Sequence, residues 1–239
     1  MDKITDLRPG KSGAKRVNVF LNGKFAFSLQ AKVAIEKDLQ IGQELSPIEI
    51  EALTREERFQ CCLDAATRYL SYRPRSEAEI REKLSRRGFG DDSIQPVMDR
   101  LKEQKLLDDA AFAEFWAENR QEFSPRSQRL TILELRRKGI SPEIAERAAN
   151  TVNDSDSAYR AALSKAQRLP VSDQVAFRRR LGEYLRRRGF SYEVANQAVD
   201  KAWQELTAAD ILTTHGSISS ECRTISISLN NSGMLHKRR

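Results

Sequence analysis

The sequence predicts a mainly α-helical protein made of three tandem three-helix repeats, preceded by a small α+β unit with a β-hairpin. The first observation is a pattern written three times, at 84–89, 135–140 and 185–190: a leucine, a polar and mostly basic triplet, a glycine and a large apolar residue. The glycines are about 50 residues apart, and a period of this size is typical of stacked copies of one supersecondary unit. The second observation is a change in apolar spacing near residue 58, from a period of 2 to one of about 3.6 residues.

The segment before that change, residues 1–57, predicts the small α+β unit. Apolar residues alternate along 15–29 on both sides of Asn22-Gly23, a pair that readily adopts the positive φ angles of a type I′ turn, so a β-hairpin is expected. A short helix is expected over 31–38 and a short strand over 41–45. Ser46-Pro47 then has the composition of a helix start.

One stretch of this unit, Gly10–Gly13, contains Lys and Ser between glycines and could hold a phosphate group. It is too short for a P-loop and precedes a predicted strand instead of following one. We therefore interpret it as a flexible lead-in to the hairpin.

From residue 58 onward, the apolar spacing predicts three helices in each repeat. Pro74, Pro125 and Pro170 each follow the first helix of a repeat and end it. Ser76 and Asp108 are positioned to cap the helices that follow them. Most aromatic side chains of this region fall on apolar helix stripes, which favours core packing over base stacking; Tyr69 and Tyr72 fit either a junction between units or an open face. The stripe residues are Phe112, Phe115, Trp116, Tyr159, Tyr184 and Trp203. The predicted repeats span 58–107, 108–153 and 154–206.

The last segment, 207–239, is rich in Ser and Thr and poor in apolar residues, and we expect it to be disordered. Cys61, Cys62 and Cys222 follow neither a disulfide nor a metal-site spacing, which indicates reduced thiols and a cytoplasmic protein. No apolar run is long enough to span a membrane, so no membrane association is expected.

The composition argues against an enzyme. The two histidines, His215 and His236, lie in the last segment, so the helical body cannot supply a Ser-His-Asp triad, a Cys-His pair or a His-ligated zinc site. Acidic pairs such as Asp108-Asp109 fall at helix starts, where carboxylates cap backbone amides. We therefore expect no catalytic residues, no metal ligands and no cofactor.

The basic triplets have two interpretations, and the sequence leaves both open. Cations in the last turn of a helix favour its dipole by about 0.3–1 kcal/mol each. The same residues, repeated at one position of a stacked unit, would also form a basic row suited to a phosphate backbone or an acidic protein groove. Residues 58–206 carry 28 basic and 23 acidic residues within a net charge of +7 for the chain. The candidate contact residues are Arg73, Arg75, Arg86, Arg87, Arg136, Arg137, Lys138, Arg178, Arg179, Arg180, Arg186, Arg187 and Arg188.

Two motifs in tandem resemble signatures of the RecX family of RecA regulators. Residues 69–79, Tyr-Leu-Ser-Tyr-Arg-Pro-Arg-Ser-Glu-Ala-Glu, run into 84–89 and look like the family's opening motif. Residues 106–116, Leu-Leu-Asp-Asp-Ala-Ala-Phe-Ala-Glu-Phe-Trp, resemble its second signature, and 135–140 resembles the start of its next repeat. The N-terminal unit resembles an extension carried by some members, whereas 207–239 matches nothing typical of the family.

The resemblance implies a non-catalytic, monomeric modulator of the recombinase RecA. Such a protein is an elongated, curved array of three three-helix repeats that lies in the groove of the RecA–DNA filament. It inhibits ATP hydrolysis and strand exchange, and so acts in recombination, DNA repair and the SOS response. The RecA filament is the implied partner, with single- or double-stranded DNA as a further contact.

A second hypothesis comes from the residues alone. Each three-helix unit could act as a helix-turn-helix of a transcriptional regulator, with 76–87, 128–138 or 177–188 exposed to a DNA groove. Such a regulator would protect a defined duplex site, whereas a RecA modulator would bind DNA weakly and with strong salt dependence.

Overall fold

The computed structural model describes residues 1–10, 13–170 and 173–215. Within them the chain forms a small sheet followed by a series of helices. In chain order the elements are β1 Asp2–Gly10, β2 Gly13–Leu21, β3 Lys24–Gln30, α1 Ala31–Glu36, β4 Glu44–Leu45, α2 Pro47–Leu70, α3 Glu77–Ser85, α4 Asp91–Glu103, α5 Asp109–Phe123, α6 Gln128–Arg137, α7 Pro142–Ala149, α8 Asp154–Ala166, α9 Gln174–Arg187 and α10 Tyr192–His215. None of these helices is long and apolar enough to cross a membrane.

The N-terminal unit is an antiparallel sheet with strand order β3-β2-β1-β4. The predicted hairpin is confirmed: Asn22 and Gly23 form its turn with φ angles of 50° and 81°. The predicted short strand is also present, as β4. Helix α1 and the first half of α2 supply Val33 and Leu53 to a core shared with Ile4 of β1.

The interpretation of 10–13 as a flexible lead-in is wrong for residues 10 and 13, which belong to strands. β1 runs to Gly10 and pairs with β2 up to the Gly10–Gly13 pair. Residues 11 and 12 lie outside the described part of the chain. The alternation that marks a strand is weak in β1, where the pairing register shifts between Ile4 and Asp6, so the sequence pattern gave no clear signal for it.

Helix α2 joins the N-terminal unit to the first repeat. It begins with a capping box formed by Ser46 and Glu49 and continues without a break to Leu70, so the predicted division between residues 57 and 58 falls inside a helix. At that point Glu57, 8% exposed, accepts a hydrogen bond from the Gln30 N–H at 2.6 Å and pairs with Arg16 at 2.8 Å. One helix and one largely buried carboxylate therefore connect the two parts.

The three predicted three-helix repeats are confirmed as α2–α4, α5–α7 and α8–α10. Contacts between helices are concentrated within each group, and each group has its own hydrophobic cluster. The leucine that opens the repeated pattern is fully buried in every copy, as Leu84, Leu135 and Leu185. Helix α10 continues to His215, so the expected disorder of 207–239 is wrong for 207–215, and 216–239 lies outside the described residues.

The repeated glycine ends the second helix of each repeat. Gly88, Gly139 and Gly189 have φ angles of 88°, 81° and 87°, a left-handed conformation that favours glycine. In each copy the N–H of the apolar residue after the glycine donates a hydrogen bond to the carbonyl of the opening leucine; the Phe89–Leu84 bond is 3.3 Å long. This is the hydrogen bonding of a Schellman helix end.

Candidate interaction surface

The first two positions of the basic triplets are open to solvent. Because the second helices occupy the same place in successive repeats, these residues recur at equivalent positions along the array. Of the arginines at these positions, Arg86 alone forms an ion pair within the described residues, with Glu82 one turn away at 2.5 Å. We call this set the arginine row: Arg86, Arg136, Arg137, Arg186 and Arg187, all exposed.

The third position of the triplet turns inward in the second repeat. Lys138 Nζ lies 2.8 Å from Glu79 Oε1 of the first repeat, and its side chain is 18% exposed. The Lys138 carbonyl accepts a hydrogen bond from the Ser76 hydroxyl at 2.6 Å. Lys138, proposed from the sequence as an outward contact, therefore joins repeats 1 and 2 instead.

The third position of the next triplet does the same between repeats 2 and 3. Arg188 donates to Ser124 Oγ at 3.1 Å and to the Pro125 carbonyl at 2.8 Å. Its own carbonyl accepts from the Ser127 N–H at 3.0 Å. Arg188 is thus also withdrawn from the outward surface, because its hydrogen-bonding groups hold the preceding repeat.

Two further candidates, Arg73 and Arg75, are engaged within the first repeat. Arg73 forms a two-pronged contact with Glu79, at 3.0 and 3.1 Å. Arg75 Nε donates to the Tyr69 carbonyl at 3.0 Å. Both are half-buried, and their main contacts are internal.

The remaining candidates lie on α9. Arg178 pairs with Asp200 of α10 at 2.6 Å, with 45% of its side chain exposed. Arg179 and Arg180 are exposed. They extend the arginine row at the third repeat, and Arg178 remains partly accessible beside them.

The junction between repeats 1 and 2 has a strongly acidic carboxyl group at its centre. Burial would raise the pKa of Glu79, but hydrogen bonds and charge from Arg73 and Lys138 outweigh burial and lower it to about 2. Glu79 is therefore ionised throughout the neutral range. The amide of Glu77 beside it donates to Asp109 Oδ1 at 2.8 Å, so a carboxylate of the second repeat caps a helix of the first.

A cluster of charged side chains around Trp116 in the second repeat adjoins this junction, and no sequence motif predicted it. Trp116 lies between two cations, with Lys138 Nζ 4.1 Å and Arg120 Cζ 4.4 Å from its ring centroid. Glu134 accepts from Trp116 Nε1 at 3.0 Å and from Arg120 Nε at 2.7 Å. It also pairs with Arg126. One signal was available, because Pro125-Arg126-Ser127 repeats Pro74-Arg75-Ser76.

Cations outnumber carboxylates in this cluster. Burial lowers the pKa of Arg126; Glu134 raises it, and the nearby charges of Arg120 and Arg188 lower it further, leaving it below the usual arginine value. Within residues 1–10, 13–170 and 173–215, no group of three or more His, Cys, Asp or Glu side chains is placed to hold a metal ion.

These features define a class: a helical-repeat protein with polar junctions between its units and exposed arginines at the ends of its second helices. Three family models match successive parts of the chain, namely the Regulatory protein RecX N-terminal domain over residues 2–46, the RecX first three-helix domain over 62–101 and the RecX second three-helix domain over 108–148. The chain belongs to the RecX family of regulatory proteins.

Curated relatives support that assignment over most of the chain. Regulatory protein RecX of Bacillus licheniformis is 30% identical over 205 residues, which cover 84% of this chain and 78% of that protein. Regulatory protein RecX of Clostridium perfringens is 28% identical over 204 residues, covering 83% and 95%.

Solved structures share the fold. A crystal structure of regulatory protein RecX aligns with a TM-score of 0.62 at 25% identity and covers 84% of this chain and 100% of that chain. RecX from Lactobacillus salivarius aligns with a TM-score of 0.52 at 24% identity, which is a likeness of fold alone.

Proposed function

We propose that this RecX-family protein binds the RecA–DNA filament and inhibits RecA's ATP hydrolysis and strand exchange, acting in recombination and DNA repair. The observation that carries the proposal is the arginine row, exposed at equivalent positions of three stacked repeats. We also propose that the protein acts as a cytoplasmic monomer, without catalysis of its own.

The repetition of the arginine row in three repeats suits a partner that is itself periodic. A filament repeats its subunits, so an array with exposed arginines in every repeat can contact several of them together. Each exposed arginine adds little alone, because solvent and salt screen its charge. Contacts made by linked units reinforce one another, since after the first contact the others form at high effective concentration.

The structure favours this hypothesis over a helix-turn-helix regulator. A helix that reads DNA uses the residues of its N-terminal part. Ser76 and Ser127, which cap α3 and α6, are 0% exposed, because the next repeat covers both helix starts. Of the three segments considered as recognition helices, two are therefore closed at the end that would enter a groove.

An ATPase titration tests the proposal. Purified protein is added to RecA on single-stranded DNA, and ATP hydrolysis and strand exchange are measured. We expect both rates to fall as the protein approaches the concentration of RecA. Unchanged rates with the protein in excess over RecA would rule out the proposed function.

A further inference from the structure

Three helix C-termini have the same conformation, and two of them pack against the N-terminus of a neighbouring helix. The ends are the C-termini of α3, α6 and α9, each closed by a left-handed glycine with the same backbone hydrogen bonds. The ends at Gly139 and Gly189 are each packed against the N-terminus of the second helix in the preceding repeat. The end at Gly88 belongs to the first repeat, which has no preceding repeat.

The two occupied ends show what this surface accepts. A Cβ added to Gly139 would lie 2.3 Å from Ala78 Cβ, and one added to Gly189 would lie 2.5 Å from Ser127 Oγ. Each glycine is thus in close contact with the first turn, or the cap, of a neighbouring helix. The carbonyl before it accepts a hydrogen bond from the residue that caps that helix, Ser76 or Ser127.

The third end is open. Nothing in the described part of the chain lies within 4 Å of a Cβ placed on Gly88. Arg87, which corresponds to Lys138 and Arg188, is exposed. The N-terminal unit reaches the border of this surface, where Gln30 donates to Asp64 Oδ2 at 2.9 Å. These two residues line a recess of ≈ 230 Å³ together with Arg68, Arg87 and Phe89.

Charge indicates which partner this end accepts. The offset of 51 residues that relates Gly88 to Gly139 also relates Arg58 to Asp109. Asp109 caps an amide of the neighbouring helix in the occupied junction, but Arg58 cannot accept a hydrogen bond. It can instead pair with a carboxylate, as Lys138 does with Glu79. Arg58, Arg68, Arg86 and Arg87 are exposed. Two carboxylates accompany them, Asp64 in the recess and Glu82 paired with Arg86, so the surface keeps an excess of positive charge and suits a partner that brings acidic groups.

A second copy of this chain suits the surface poorly. Among the described residues, the second-helix N-terminus that no following repeat covers is that of α9, which begins after Asp173. Arg178, Arg179 and Arg180 follow within two turns, and only Arg178 among them has an ion-pair partner in the described residues. Two basic ends would repel each other.

We propose that Arg58, Arg86, Arg87 and Gly88 bind the N-terminus of a helix in a partner protein. That helix has a small residue in its first turn, as Ala78 is in α3, and acidic residues in the same turn, as Glu77 and Glu79 are. The RecA filament as partner rests on the proposed function, and the open end would then be one of the surfaces that contact it.

The filament experiment compares two matched variants, each with two arginines replaced. R58E/R87E reverses charge at the open end. R147E/R160E reverses charge at two exposed positions outside the open end and the arginine row. We expect R58E/R87E to weaken filament binding about tenfold, and the control to change it less than about twofold. Equal losses in both variants would overturn the proposal while leaving the proposed function intact; no binding by the unaltered protein would contradict the proposed function instead.

A second experiment does not depend on RecA. The isotope-labelled full chain is titrated with a synthetic peptide of residues 74–87, whose start carries Ser76, Glu77, Ala78 and Glu79, and amide shifts are followed by NMR. We expect shifts confined to residues 58–68 and 86–89, reduced in R58E/R87E and with an E77K/E79K peptide. Shifts that are absent or lie elsewhere would reject the proposal. Concentration-dependent self-association abolished by R87E would assign the open end to a second copy and would also reject it.

Discussion

Lys138 and Arg137 are neighbours in one basic triplet, yet their environments differ. Arg137 is exposed, whereas Lys138 contacts Glu79 at 2.8 Å and lies over the face of Trp116 at 4.1 Å. The triplet therefore has two roles, with its first positions facing outward and its last position, in the second and third repeats, holding the preceding unit.

The first prediction concerns this division. Lys138→Ala should lower the free energy of unfolding by about 1–3 kcal/mol, because it removes a charged contact from a half-buried junction. The measurement is urea denaturation followed by circular dichroism. Arg137→Ala is the matched control and should change stability by less than about 0.5 kcal/mol. Similar losses for the two variants would contradict the inward role of Lys138.

The second prediction concerns pH. The pKa of Glu79 is about 2 in the folded protein, below the value of about 4.3 for an unperturbed glutamate. Its ionised form therefore stabilises the fold above about pH 4.3, and this contribution is lost as pH falls toward 2. Part of it is screened, because Arg73 is 39% exposed.

The measurement is the free energy of unfolding of the unaltered protein and of Glu79→Gln between pH 7 and pH 2.5. We expect the unaltered protein to be more stable by about 1–2 kcal/mol at neutral pH. The difference should shrink as the solution is acidified. A difference that stays constant with pH would show that the carboxylate charge has no part in the junction.

At the scale of elements, the sequence was sufficient for helix caps and insufficient for the full lengths of α2 and α10. Ser76 and Asp108 cap their helices through their side chains, as local composition predicts. The length of α2 was not predictable in the same way, because residues 56–58 contain no helix breaker and the change of period had suggested a boundary there. Helix α10 continues past 206 for a similar reason, since Thr207-Ala208-Ala209 does not interrupt a helix.

The third prediction separates backbone conformation from packing. Gly88→Ala places an alanine at a φ of 88° in open space, so it should cost about 1–2 kcal/mol. Gly139→Ala has the same backbone cost, and its Cβ would also lie 2.3 Å from Ala78 Cβ. Because of this overlap, we expect Gly139→Ala to lower the free energy of unfolding by about 1–3 kcal/mol more than Gly88→Ala does.

Thermal or urea unfolding of both variants gives the comparison. Equal costs would show that the repeat junction opens freely enough to accept a methyl group. A larger cost for Gly139→Ala that the Gly139→Ala/Ala78→Gly double variant reduces would locate the overlap at Ala78.

At the scale of the whole molecule, the number and order of repeats followed from the sequence, because each copy keeps the same leucine and glycine. That the exposed arginines contact a partner is still a prediction, whereas Lys138 and Arg188 lie at repeat junctions. The contacts that turn Lys138 and Arg188 inward join residues far apart in the chain, such as Ser76 and Lys138, and no local pattern indicates such pairs. The role of Glu134 was missed for the same reason, since its partners Arg120 and Arg126 lie on neighbouring segments. The curvature of the array stays a prediction.

The fourth prediction tests the array as a unit. R136E/R137E and R186E/R187E should each weaken binding to the RecA filament, and the four-residue variant should weaken it by more than either pair, because linked contacts reinforce one another. The salt dependence of binding should also become less steep as cations are removed. The measurement is affinity for the filament at several salt concentrations, with circular dichroism to confirm unchanged helix content. Equal affinity and salt slope for all variants would exclude the arginine row from the interface.

The way the repeats are joined has a mechanical consequence. Each repeat has its own apolar core, whereas the junctions consist of a few hydrogen bonds, ion pairs and a glycine contact. We expect these polar contacts to separate more readily than the apolar cores. Bending would then be concentrated at the junctions between repeats. The sheet and the first repeat have no such junction between them, because the continuous helix α2 spans both. We expect a molecule joined in this way to bend between its repeats without unfolding any of them.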